Sequence, residues 1–207
     1  MSRSRGIIAS ACGLALFLLV VLIQPLLEPA YDPLRQGISE FVHTDAEGLV
    51  LAGFLAWASS LAILAGLVVA TGQAPDRRRA TLLEAAGLGA AVAGLLLVTC
   101  FATDRGAEVA GEVTRATTTG RIHDIGSAMV IGGVLLAVMA DAARRRDPRL
   151  AVALLAAAVV ASAILFALGD PLPGLRQRCL LACGCFWQAV VLLRLWDGAL
   201  AQRKTLR

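Results

Sequence analysis

Asp32, Arg35, Gln36, Ser39, Glu40 and His43 fall within twelve consecutive residues, in the stretch "YDPLRQGISEFVH", of a chain that is otherwise mostly apolar. Further along stand Asp104, His123, Arg176 and Arg178. The chain has only two histidines, and both belong to this set. Asp104, His123 and Glu40 are the candidate catalytic residues, because carboxyl and imidazole groups move protons near neutral pH. Arg35, Arg176 and Arg178, joined by Gln36, Ser39 and His43, are the candidate ligand-binding residues. Guanidinium groups clasp phosphate or carboxylate bidentately. Ser39, His123 and Asp104 have the residue types of an activated hydroxyl nucleophile, but no G-x-S-x-G elbow accompanies them. His43, His123, Asp104 and Glu40 have metal-ligand types without H-x-x-x-H or H-E-x-x-H spacing. No metal and no cofactor are therefore expected.

The elements that must position these groups are membrane helices. The 207 residues are 58% hydrophobic and 16% charged, with a mean hydropathy of +0.76. Soluble domains average roughly 25% charged residues. About 20 apolar residues cross a bilayer as helix. Six stretches qualify, at approximately 6–27, 46–71, 81–102, 124–142, 149–169 and 175–196. They make 1–207 a single multi-pass membrane domain and an all-α six-transmembrane-helix bundle. Twelve basic residues fall in the loops and termini on one side and six on the other. The positive-inside rule then places both termini in the cytoplasm. It also explains the basic pI without nucleic acid as a partner. The first apolar run exceeds the roughly 7–15 residues of a signal-peptide core, so an uncleaved first helix is expected. The Arg-, Ala-, Leu- and Gly-rich composition suggests a bacterial source and hence the bacterial plasma membrane.

Several charges have ordinary structural readings. Thr44-x-x-Glu47 and Thr81-x-x-Glu84 match capping boxes opening the second and third spans. Asp147-Pro148 and Asp170-Pro171 match an N-cap before proline, and Asp124 fits the first turn of the fourth span. Asp141 and Asp197 are expected in solvent. Asp32-Pro33 predicts a short helix over 33–43, with Leu34, Ile38, Phe41 and Val42 on its apolar side. Arg35, Ser39 and His43 would then form one polar row, giving an interfacial amphipathic helix between spans 1 and 2. Cys12, Cys100, Cys179, Cys183 and Cys185 read as buried free thiols, with a Cys100–Cys179 disulfide as the alternative. Gln188, deep in the sixth span, needs a partner. Gly87, Gly89, Gly94, Gly132 and Gly133 are candidates for close helix contacts.

The spaced pattern "YDPLRQGISE", "FATD", "RIHDIG" and "LPGLRQR" resembles the bacterial and archaeal membrane proteins grouped as domain of unknown function 998. The resemblance covers roughly residues 6–196. It implies a six-helix integral membrane protein and carries no assigned activity. The alkaline ceramidase-like membrane hydrolases are a poorer match, since this chain has two histidines and no paired-histidine helix. The expected function is binding of a membrane lipid or other amphiphile at an outward-facing polar mouth. A membrane-embedded enzyme acting on a lipid or polyprenyl substrate, and a small transporter or accessory subunit, are the alternatives.

Overall fold

Six helices follow one another in the computed structural model, which describes residues 2–72, 74–104, 117–167 and 172–205. They are α1 (Arg3–Leu27), α2 (Glu47–Thr71), α3 (Arg78–Cys100), α4 (Thr118–Arg145), α5 (Arg149–Ala167) and α6 (Pro173–Thr205). No strand occurs among the described residues. A 25-residue helix such as α1 is about 37 Å long, more than the roughly 30 Å of a hydrocarbon core. α1, α2, α3, α4 and α6 are long and apolar enough to cross a membrane, and α5 is shorter. Large apolar side chains cover the outside as well as the core. Leu19, Leu22 and Leu26 of α1, Val159 of α5 and Leu193 of α6 are all exposed. Apolar surface on both faces marks a bundle solvated by lipid.

Arg3 of α1 bonds to Gln202 near the end of α6, so both chain ends lie at one end of the bundle. That end is called terminal here. The segments 28–46, 101–104 and 172 lie at the other, the loop end.

Glycines set the closest contact, between α3 and α4. A Cβ on Gly133 would lie 2.5 Å from the Gly87 carbonyl oxygen and 2.6 Å from the Ala91 nitrogen. One on Gly94 would lie 2.5 Å from the Gly126 carbonyl oxygen. Backbone cannot yield as a side chain can, so these positions admit only hydrogen. Gly87, Gly94 and Gly133 thus do what the sequence suggested, whereas Gly89 and Gly132 face open space.

A buried polar chain ties α1, α2 and α6. The Trp57 indole donates to Gln188 Oε1 (2.9 Å), and Gln188 Nε2 donates to the Ser60 hydroxyl (2.6 Å). Ser60 donates to the Ser10 carbonyl (2.5 Å) and Ser10 to the Ser60 carbonyl (2.9 Å). Gln188 therefore has the partners its depth requires. Phe17 stacks on the Trp57 ring, 4.5 Å between centroids.

Three helix starts differ from the sequence reading. α3 begins at Arg78, so Thr81 is interior and donates back to the Arg77 and Gly72 carbonyls. Ala46 occupies the N-cap of α2 with no side-chain cap bond, while Thr44 accepts from the Ala46 N–H. Neither capping box forms. α4 begins six residues early, capped by Thr117 accepting from the Gly120 N–H (3.0 Å). Asp124 is consequently in the second turn. Asp147 does accept from the Arg149 N–H at the start of α5, whereas Asp170 lies outside the described residues.

The cysteines are all free. Cys185 is buried as expected, but Cys12 and Cys100 are exposed on helix surfaces. Small apolar thiols are at ease against lipid, which corrects the uniformly buried reading.

Candidate functional site

The segment after α1 turns before it coils. Asp32 Oδ1 accepts from the Leu34 N–H (2.9 Å), and Gln36 Oε1 accepts from the Asp32 N–H (2.7 Å). Gly37 is extended, which interrupts any helix running from Pro33. Only Ile38–His43 coils, as a six-residue 3₁₀-helix. A short helix thus stands between the first two long ones. With three residues per turn, however, Arg35, Ser39 and His43 do not form the expected row. Ile38, Phe41 and Val42 pack into the core, and Ser39 is buried with them.

Arg178 explains why this turn holds its shape. Its guanidinium donates to the carbonyls of Pro33 (2.6 Å), Gln36 (2.9 Å) and Gly174 (3.2 Å). It also donates to the Tyr31 hydroxyl and lies 5.5 Å from the Tyr31 ring centroid. Tyr31 in turn donates to the Gly37 carbonyl (2.9 Å) and meets Phe41 edge-on. Burial pushes the Tyr31 phenol up from its ordinary value, against the opposing pull of Arg178. Gln177 Oε1 accepts from the Ile38 N–H (2.8 Å), and Glu40 Oε1 from the Gly37 N–H (2.8 Å). A Cβ on Gly174 would meet the Pro33 carbonyl at 2.7 Å, so the start of α6 touches the turn directly. Tyr31 and Gln177 were not candidates in the sequence. Tyr31 is the chain's single tyrosine, the one available signal.

The second part of the site is the segment 101–104. His43 Nε2 bonds to the Thr103 carbonyl (2.9 Å) and His123 Nδ1 to the Phe101 carbonyl (2.8 Å). Carbonyls only accept, so both nitrogens carry the proton. Asp104 accepts from the Thr117 hydroxyl (2.6 Å) and N–H (3.0 Å). Those bonds hold its carboxyl below the usual range, with smaller contributions from nearby His43 and His123. His43, Asp104 and His123 do converge around one segment. His123 is 2% exposed, and Ser39 and His123 share no hydrogen bond among the described residues. Arg35 pairs with Asp32 at 3.8 Å, both about half exposed, and Arg176 is exposed. Among the described residues no group of three His, Cys, Asp or Glu side chains is placed to hold a metal.

The segments "YDPLRQGISE", "FATD", "RIHDIG" and "LPGLRQR" therefore interlock at one end of the bundle. A family model covering residues 11–194 carries the same span. The chain belongs to the family described as protein of unknown function (DUF998). No curated protein and no solved structure matches it. In this DUF998 chain the paired segments grip each other through backbone carbonyls. That is a reason for those residues which holds whatever ligand is bound.

Below this end lies a narrow apolar cleft of about 80 Å³ between α4, α5 and α6. Val130, Val134, Leu154, Ala158, Leu181 and Cys183 are among its walls, and Trp57 of α2 also lines it. Leu180 and Leu181 follow Arg178 by less than one helical turn, so α6 connects the cleft to the polar end.

The terminal end holds a charge cluster that the sequence reading missed. Glu84 is 0% exposed and Asp141 3% exposed. Arg144 donates to Glu84 Oε2 (2.6 Å) and Oε1 (3.3 Å), and to Asp141 Oδ1 (2.6 Å). Arg145 also reaches Asp141 (2.6 Å), and Arg194 lies 3.8 Å from it. Glu84 is therefore no cap and Asp141 is not solvated. Together they fasten α3 to α4, with Arg194 of α6 alongside.

Proposed function

We propose that this DUF998 protein binds a lipid or other amphiphile, with its chain in the α4–α5–α6 cleft and its head at the loop end. The observation that supports this reading is the cleft itself. It is apolar, it lies among helices whose outer faces are lipid-compatible, and it runs beneath a polar end. An alkyl or isoprenoid chain entering from the bilayer would exchange lipid for protein contacts at little cost. Specificity would then come from the head. Arg176 and Arg35, both exposed at this end, would meet the head. Arg178, Gln36, Ser39, Glu40, His43 and His123 shape the surface that presents them.

All six helices cross the membrane in this reading. The excess of basic residues in the terminal-end loops orients the termini to the cytoplasm of a bacterial cell and the polar end outward.

Filling the cleft tests the proposal. Ala158→Phe should lower the amphiphile retained through purification about tenfold, roughly 1.4 kcal/mol, as read by native mass spectrometry. Ala156→Phe, on the exposed face of the same helix, should leave it unchanged. Equal retention in both variants would remove the cleft as the site.

A further inference from the structure

Five of the arginines with described surroundings are partly buried rather than exposed: Arg3, Arg144, Arg145, Arg178 and Arg194. Arg144, Arg145 and Arg194 face Glu84 or Asp141. Arg178 has three carbonyls and a tyrosine. Like Arg178, Arg3 has no carboxylate within ion-pair reach among the described residues, but it has fewer acceptors. Two neutral acceptors serve it, Gln202 Oε1 (3.1 Å) and the Leu195 carbonyl (3.3 Å). Its Nε–H is buried without a partner. A guanidinium has five donors, and a half-buried cation with so few acceptors is costly. An arginine at a helix end would ordinarily extend toward water, yet this one turns inward between α1 and α6.

Arg3 also lines a cavity of about 750 Å³ at the terminal end, together with Ile63, Leu67, Thr71 and Gln202. One helical turn into the membrane from Arg3, Ile7 begins an apolar groove of about 510 Å³ between α1 and α6. Leu14 and Leu18 continue it on one side and Leu192 and Trp196 on the other. A cation with no carboxylate in reach among the described residues, beside a cavity and above a greasy groove, has the form of a seat for an anionic lipid.

We infer that Arg3 binds the phosphate of an anionic phospholipid whose acyl chain lies along the α1–α6 groove. The head group supplies the counter-ion, and Gln202 and Thr71 stand at the rim of its cavity. This site is separate from the α4–α5–α6 cleft and at the opposite end of the bundle from Arg176. It would occupy the membrane leaflet on the side of the chain termini.

The full chain in detergent micelles doped with phosphatidylglycerol or phosphatidylcholine provides the test, read by native mass spectrometry. The wild type should retain phosphatidylglycerol preferentially. Arg3→Gln should weaken that retention about tenfold or more, as expected for a charge-assisted bond. Arg5→Gln removes the same charge from an exposed neighbour and should change it little. Ala158→Phe should have no effect, which separates this site from the cleft. Displacement of the lipid by millimolar inorganic phosphate would identify a free-anion site and overturn the lipid assignment. Equal retention by Arg3→Gln and Arg5→Gln would overturn it as well. So would a two-chain species that Arg3→Gln dissociates without loss of lipid.

Discussion

Arg144→Ala should destabilise the bundle by about 3–5 kcal/mol, the range for removing one partner of a buried ion pair. The Arg144 side chain is 11% exposed and that of Glu84 is 0% exposed, so solvent cannot replace the lost charge. Without Arg144, Glu84 keeps no partner of opposite charge within 4 Å among the described residues, and it faces Asp141 across the same contact. Asp141 retains Arg145 at 2.6 Å. Replacing Glu84 and Arg144 together with methionine should therefore recover much of the loss, because both the buried charge and its partner are gone. Denaturant titration followed by tryptophan fluorescence in mixed micelles reads both. A single Arg144→Ala variant as stable as wild type would mean that water reaches Glu84 freely.

Gly133→Ala should cost about 1–3 kcal/mol, the usual range for overpacking. The new methyl would meet the Gly87 carbonyl and the Ala91 nitrogen, both backbone, at 2.5 and 2.6 Å. α3 and α4 would have to separate along their whole glycine-lined contact, which includes the Gly94–Gly126 approach. Gly132→Ala is the comparison. A Cβ there meets nothing within 4 Å, and alanine is favoured over glycine in a helix by about 1 kcal/mol. That variant should be neutral or more stable. The same titration separates the two, and equal stability would contradict the close α3–α4 packing.

These two regions differ in how far the sequence discloses them. Close-approach glycines are legible as small residues in apolar spans, but which face of the helix each occupies is a tertiary fact. Gly87 and Gly133 meet a neighbour, and Gly89 and Gly132 do not. Glu84 was misread for a specific reason. Thr81-x-x-Glu84 satisfies a capping pattern only if the helix starts at Thr81, and it starts at Arg78. That shift moves Glu84 into the second turn, where it faces Arg144. Asp141, one turn before Arg144 and Arg145, looked like a solvated acid beside a basic loop. Its burial depends on α3 covering it.

At the loop end the residue types were found, but the roles of several differ. Arg178 has the chemistry to clasp an anion, and it clasps three carbonyls of this chain. The same property serves both uses, and sequence cannot distinguish them. Asp32 was legible as a local cap, because an Asx turn is decided within three residues. The amphipathic row over 33–43 fails at Gly37, whose extended backbone a helical wheel does not register. A common side for His43, Asp104 and His123 was legible in the sequence. Their grip on the carbonyls of 101 and 103 was not.

The most direct measurement on amphiphile binding uses Trp57, which lines the cleft while being 1% exposed. With Trp187 and Trp196 replaced by phenylalanine, its fluorescence should be quenched saturably by an uncharged amphiphile carrying bromine on its alkyl chain. Ala158→Phe should abolish that quenching, and Ala156→Phe should not. Quenching that is weak, unsaturable and indifferent to Ala158→Phe would mean that no chain enters between α4, α5 and α6, and would contradict the proposed function.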